Sequence, residues 1–461
     1  MLFGIIFIKE FLLESIDHQL VKELQKKVYG LDLRCQQLEE ENRSLKFQLQ
    51  EYREKFFKKK KRSEDSDEEQ KPPAKRGAPI GHPGVTRAKP DRVDEQIDVK
   101  LQKCPECGST DLKKLREVED HDQEDIILPQ VKVTRYRHHL YECRCCKEKV
   151  QGVGPGELPG SYIGPVAKSL AAYLHYQIKV PYRKIAKLFE QLFHLKFDPS
   201  SCVGFDQQVR VRGDPIYEKM KTQLKEEALI HADETGWRSD GINHWLWCFA
   251  SEKKVVYHID RSRGAKVVNS LLGDRYGGVL VSDFLAVYNK LESRKQRCLV
   301  HLLRRIKKWQ IYFSEDKKKS SYFLKFKELI QHILKLVAKP FKGKWIDAKA
   351  DAKGRLRRLL ISTLGHPKAD KFRKKLLNQI HELTACLEKS KIPADNNFVE
   401  RLLRDSVIMR KITFGNRSEK GIKNHQVLMS LLQTARLKKL DPMTFLHTLL
   451  THPSSAARAL L

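Results

Sequence analysis

Near the C-terminus, Asp395-Asn396-Asn397-Phe398-Val399-Glu400-Arg401 sets a carboxylate inside an apolar periodic run. That run (Phe398, Val399, Leu402, Leu403, Val407, Ile408) predicts a helix through Glu400. Asn396 lies four residues earlier, on the same face, and Arg401, Arg404, Arg410 and Lys411 follow closely. An acid among bases on such a helix suits a metal ion and a polyanion together, although most acid–base mixtures on helices are solvated salt-bridge faces. Two aspartates far upstream shift that balance. Ala228-Leu229-Ile230-His231-Ala232-Asp233-Glu234-Thr235 reads as a strand ending in acids, and Gly278-Val279-Leu280-Val281-Ser282-Asp283 as another. Three convergent carboxylates do not all stay ionised cheaply without a cation between them. Their hard oxygens suit Mg²⁺ or Mn²⁺, and two such ions stabilise both the attacking and the leaving oxygen in phosphoryl transfer.

The elements that must position these acids are legible around them. Trp245 to Phe249 and Val255 to Ile259 read as two more strands, and Gly264 to Leu272 as a helical crossover. Three strands, a helix and a further strand is the order of an α/β ribonuclease-H-like sheet. Asp233 then belongs to the first strand and Asp283 to the end of its central neighbour, with a helix carrying Glu400 completing the cluster. Glu234 is expected to point to the opposite face, and Asp274 and Asp395 to cap helices. Cys298 and His301 stand at C-x-x-H spacing, but two ligands do not make a zinc site; His301 is read as orienting or touching DNA. Arg304, Arg305, Lys307 and Lys308 beside it are candidate phosphate contacts. Between Tyr312 and Ile392 the chain is helical and basic, an insertion that covers DNA or a partner subunit.

The global numbers point the same way. The chain has 461 residues, room for about three domains, and a formal net charge of +31 that favours a nucleic-acid partner. No stretch is long enough to span a bilayer, and the apolar opening MLFGIIFIKEFLL meets Lys9 and Glu10 at once, which makes it a poor signal peptide. A heptad follows. Val21, Val28, Cys35, Asn42 and Leu49 take one seam position, and Leu24, Leu31, Leu38, Leu45 and Tyr52 the other, the pattern of a parallel two-stranded coil. Pro72 to Gly84 mark a flexible tether. Cys104-Pro105-Glu106-Cys107 and Cys143-Arg144-Cys145-Cys146 supply thiolates for a closed structural Zn²⁺ site, with Cys145 surplus. Redox chemistry would need a single pair. Val131, Val133, Tyr136, His138 and Leu140 alternate between them as a strand would. Pro165 to Tyr176, a helix opened by Pro181, and a short turn at His194 to Pro199 form a helix-turn-helix pattern, which plain helical packing would also give.

HADETGW, NHWLWCFAS, VSDFLAVYN, CLVHLLRR and PADNNFVERLLRDSVIMRKITFGNRS resemble, in this order, the insertion-sequence-66 family of DDE transposases. That family also carries a leucine zipper, a linker like GAPIGHPGVTR, a four-cysteine zinc module, a helical segment and a tail like LMSLLQTARLKKLDPMTFLHTLL, so the resemblance spans nearly the whole chain. Gly236 departs from it, where a bulkier residue or proline is expected. The resemblance implies Asp233, Asp283 and Glu400 as catalytic Mg²⁺ ligands. Cys104, Cys107, Cys143 and Cys146 are taken as the zinc ligands, and Arg304, Arg305, Arg401, Arg404, Arg410 and Lys411 as DNA contacts. The expected order is a coiled coil (1–57), a linker (58–99), the zinc module (100–152), a helical DNA-binding segment (158–222), the first part of a ribonuclease-H-like core (226–311), an all-helical insertion (312–392), and the completion of the core with its tail (393–461). The implied activity is hydrolysis at transposon ends followed by direct strand transfer into target DNA. The expected setting is the bacterial cytoplasm at the nucleoid, as a homodimer or higher oligomer, without a membrane and with accessory proteins of the same element as further partners. A sequence-specific regulator and a structure-specific nuclease are the alternative classes.

Overall fold

In the computed structural model the described residues are 18–56, 92–97, 102, 105–106, 108–110, 123, 131–340, 342–389 and 391–461. Met1–Phe57 with Lys132–Leu461 form one unit and Lys58–Val131 a second, whose described residues carry no helix or strand. The expected linker falls outside the described residues except for 92–97. None of the described helices is long and apolar enough to cross a membrane. The first unit opens with a 39-residue helix, α1 (His18–Phe56). Its seam residues Val28, Leu31, Leu38, Leu45 and Leu49 are exposed.

Two short strands, β1 (Leu140–Glu142) and β2 (Lys149–Gln151), then pair antiparallel as a hairpin. The strand predicted from Val131 forms only from Leu140 onward; residues 131–139 have no regular structure. There His138 bonds sideways instead, Nδ1 to the Gly152 carbonyl at 2.9 Å and Nε2 to Glu157 at 3.0 Å.

The larger sheet begins with β3 (Leu229–Ser239), which turns through Asp240-Gly241 into β4 (Ile242–Ala250). Both turn residues have positive φ (48° and 73°), the geometry of the two-residue Asp-Gly hairpin that matches strand twist. β5 (Val255–Asp260) adds antiparallel to β4. A crossover through α5 (Ala265–Leu272) brings β6 (Arg275–Ser282) back parallel to β3, and β7 (Glu292–Arg297) lies parallel to β6. The order is β5-β4-β3-β6-β7.

Helices α2 (Pro165–Tyr176), α3 (Tyr182–Phe193) and α4 (Ser201–Gln223) precede the sheet. One face of α4 packs into the core of the sheet: its Val209, Ile216 and Met220 share one core with Trp237, Trp247 and Phe249, together with Leu428, Leu431 and Leu432 from α12 (Glu419–Leu437) and Phe445 and Leu449 from α13 (Pro442–Thr451). Each such fully buried aromatic or aliphatic side chain contributes about 1.5–3 kcal/mol. A second core gathers α6 (Leu299–Tyr312), α7 (Lys317–Val337), α8 (Lys344–Ile361), α9 (Pro367–Asn378) and the short α10 (Ile380–Thr384) around Leu302, Phe323, Ile330, Leu356, Phe372 and Leu383.

Asp206 on α4 is wholly buried and accepts the hydroxyls of Tyr176 and Tyr182, so it ties three helices. Burial pushes its carboxyl up to about 7, against the two hydroxyl bonds that pull it down. The folded chain therefore holds this proton between about pH 4 and 7, where the unfolded chain releases it, and stability falls as pH rises through that window, by at most about 4 kcal/mol. Asp206→Asn keeps an acceptor for the tyrosines and carries no charge. The expected result is a smaller loss of denaturation midpoint between pH 5 and pH 8 than in the parent; an unchanged loss would refute the assignment.

Candidate active site

β3 presents Asp233 opposite Cys248 and Glu234 opposite Trp247, so the two acids leave the strand on opposite faces. Asp283 follows the last residue of β6; its Oδ1 accepts the Leu285 N–H at 2.8 Å and its carbonyl accepts from Arg297 at 2.9 Å. Glu400 sits in the first turn of α11 (Asn397–Thr413), and that helix is fastened to β3 at both ends. At its start Asn396, fully buried, donates to the Ala232 carbonyl at 2.9 Å, meets His231 Nδ1 at 3.0 Å through Oδ1, and gives its N–H to Cys298 Sγ at 3.3 Å. Asp395 accepts the Asn397 N–H at 2.9 Å from the residue before the N-cap, which is Asn396 and not Asp395 as expected; Asp274 accepts from the Asn269 side chain and caps no helix either. At the far end Gly415 (φ 101°) passes so close to the hairpin that a Cβ would lie 2.1 Å from the Arg238 carbonyl. That approach admits only glycine. It lets Asn416 pair with Ser239 and accept the Trp237 indole N–H at 2.7 Å. Between these ends the Tyr257 hydroxyl donates to the Leu402 carbonyl at 2.8 Å.

The acids feel one another. Asp233 is pushed up to about 8, first by burial and then by Glu234, with Asp283 and Glu400 adding to the same direction; the Glu234 N–H on its Oδ1 opposes them. A carboxylate so crowded by like charge is what a divalent cation would relieve. Glu400 Oε1 is buried and has no hydrogen-bond partner among the described residues. It faces His301 Nδ1 at 3.6 Å, and Arg304 stands 3.9 Å from the other oxygen. Hard oxygens, one of them unpartnered, and a lifted pKa fit such an ion. Ligand atoms of Cys298, His301 and Glu400 also come within 4.8 Å of one another. Burial raises the Cys298 thiol, though, outweighing the Asn396 N–H that its sulfur accepts, so a thiolate ligand there is disfavoured.

Two features escape the sequence reading. β7 has the composition Glu-Ser-Arg-Lys-Gln-Arg, which no periodicity marks as a strand, yet its end is buried. Its Arg297 is fully buried and pairs with Glu382 at 2.7 Å while holding Ser282, the Asp283 carbonyl and Asn289. Glu234 is the second: it is almost wholly buried and carries Arg263 and Tyr288.

The basic residues divide. Arg304, Arg401, Arg404 and Lys411 are exposed on α6 and α11. Arg305 is half-buried between the rings of Phe284 (5.1 Å) and Phe372 (4.9 Å), and Arg410 donates to the Gly236 carbonyl and Thr235, so both face protein. Cys143, Cys145 and Cys146 lie at the tip of the β1–β2 hairpin, where Lys147 turns left-handed (φ 61°) and the N–H groups of Cys146 and Cys145 pull the Cys143 thiol pKa down. Cys104 and Cys107 lie outside the described residues.

Comparison with known proteins bears on this geometry. Residues 160–424, more than half of the chain, match the model described as transposase IS66 family. Residues 102–147, which include Cys104, Cys107, Cys143, Cys145 and Cys146, match the zinc-finger binding domain of transposase IS66. Two uncharacterized proteins of Sinorhizobium fredii (strain NBRC 101917 / NGR234) are similar along most of their length. One, y4qI, is 24% identical over 424 residues, covering 80% of this chain and 75% of the relative. The other, y4jD, is 21% identical over 400 residues, covering 77% and 75%.

Proposed function

This chain belongs to the IS66 family of transposases, and we propose that it cuts transposon ends and joins them to target DNA at Asp233, Asp283 and Glu400. The observation that carries the reading is the fastening of α11 to β3 through Asn396, which sets Glu400 close enough to Asp233 to shift its ionisation. We read the five-stranded sheet as a ribonuclease-H-like core, with 312–392 as its helical insertion. The three carboxylates would hold divalent ions, Mg²⁺ or Mn²⁺, which when bound neutralise phosphate charge and activate the attacking oxygen. The chain's own residues keep the acids in place. Asn396 fixes the start of α11, Arg297 grips the backbone of Asp283, and Arg304 stands beside Glu400 where a phosphate would lie.

Water breaks one phosphodiester bond at each transposon end, freeing a 3′-hydroxyl. That hydroxyl attacks a target phosphodiester and displaces the other strand end, with no protein–DNA covalent bond. The exposed Arg401, Arg404 and Lys411 continue the phosphate track. The zinc-finger match supports a structural zinc, with Cys104, Cys107, Cys143 and Cys146 as its ligands. The working place is the nucleoid, with accessory proteins of the same element as partners.

Incubating the full-length protein with labelled DNA that flanks its own gene, a target plasmid and Mg²⁺ tests this directly. Joined products support transposition; cut but unjoined ends support a nuclease, and tight end binding without cutting a regulator.

The exposed seam of α1 is proposed to pair with a second copy, so that two ends meet in one complex. Leu31→Lys with Leu38→Lys would place charges in that seam. The expected result is a fall to the monomer mass in light scattering at micromolar protein, with the thermal midpoint of the rest unchanged. A retained dimer would move the interface elsewhere.

A further inference from the structure

Arg263 lies in the loop after β5 and takes no part in the three-acid arrangement, yet its guanidinium is held on two sides. Nε and Nη2 donate to Glu234 Oε1 at 3.1 and 2.7 Å. The guanidinium stands 4.2 Å from the centre of the Trp245 ring. Glu234 is itself held, its Oε2 accepting the Tyr288 hydroxyl at 3.1 Å. The acid's side chain is 2% exposed and the arginine's 45%, so the buried partner is the anchor and the cation is what reaches solvent. Nη1 makes no hydrogen bond among the described residues.

Glu234 follows Asp233 directly, and its side chain is buried. A fourth carboxylate there works against the fold, since an apolar side chain in a buried position of this kind is commonly as stable or more so. What the acid gains is a guanidinium locked in one orientation beside the catalytic strand. A fixed, always-charged planar fork with donors to spare is a phosphate ligand.

Resting on the reading of Asp233, Asp283 and Glu400 as the DNA-cleaving site, we propose that Arg263 grips a backbone phosphate of the DNA strand near the one being cut. Glu234, Trp245 and Tyr288 are its positioning residues.

The test uses full-length protein and duplexes carrying its own transposon end. One phosphate at a time, across the nucleotides around the junction, is replaced by an uncharged methylphosphonate, and binding is measured in Ca²⁺. With the parent, neutralising the gripped phosphate should weaken binding about tenfold or more. With Arg263→Ala the unmodified duplex should bind weaker by a similar factor, and the same methylphosphonate should cost nothing further, while other sensitive positions keep their effect. Glu234→Gln should flatten the profile at that position too, with Arg263 intact. A merely structural arginine would weaken all positions alike, and that pattern, or a parental profile in Arg263→Ala, overturns the proposal. Asp233→Asn run alongside in Mg²⁺ separates the two readings. If it cuts DNA, the catalytic site is wrong; if it is inactive while Arg263→Ala keeps the parental profile, only the phosphate contact falls.

Discussion

Asp283→Asn is expected to lower strand transfer by at least about a thousandfold while leaving the protein folded. The substitution is nearly isosteric. Asn can still accept the Leu285 N–H that Asp283 Oδ1 accepts at 2.8 Å, so the turn after β6 keeps its shape. Removing this charge also removes one of the repulsions that lift Asp233, so stability should hold or rise slightly. Activity should nonetheless collapse, because a neutral amide is a poor ligand for a hard divalent cation. Glu400→Gln should behave alike, since among the described residues its Oε1 has no hydrogen bond to lose and its charge contacts with His301 and Arg304 are long, at 3.6 and 3.9 Å. Cleavage and joining are read on a gel from labelled ends, with circular dichroism as the folding control. Full strand transfer by either folded variant would remove that acid from the site.

Arg297→Ala should destabilise the protein by about 3–5 kcal/mol, the range for breaking a buried ion pair from one side. The guanidinium is fully buried and satisfies four groups at once: Glu382, Ser282, Asn289 and the Asp283 carbonyl. Alanine would leave an acid, the Ser282 hydroxyl and the Asp283 carbonyl short of a partner, in addition to a void, while the exposed Asn289 turns to water. Arg297→Lys fills part of the space but cannot fork, so it should recover only part of the loss. Chemical denaturation with Glu382→Gln as the second arm of a cycle measures the coupling. A loss below about 1 kcal/mol for Arg297→Ala would mean that solvent replaces those contacts and that Asp283 is held by its own turn.

How much of this could be read along the chain follows from the range of each signal. The strands with Asp233 and Asp283, the helix with Glu400, the proline-opened helices α2 and α3 and the helical insertion all came from spacing, because burial of one face imposes a local period. The heptad of α1 is likewise local, and its helix is present. What periodicity does not carry is a pairing between distant residues. β7 is polar in composition, and its burial depends on Arg297 meeting Glu382, 85 residues further on, and on Arg294 meeting Glu388. Arg410 and Arg305 have the same composition signal as their exposed neighbours, and only the fold turns one onto the Gly236 carbonyl and the other between two aromatic rings. The same holds for α4, whose period predicts a buried face without naming the surface that covers it, here the sheet and α12. The residue types and spacing thus determined which acids stand on which strands and helix. Only tertiary structure decided which arginines hold those acids in place, because a charge finds its partner through space and not along the chain.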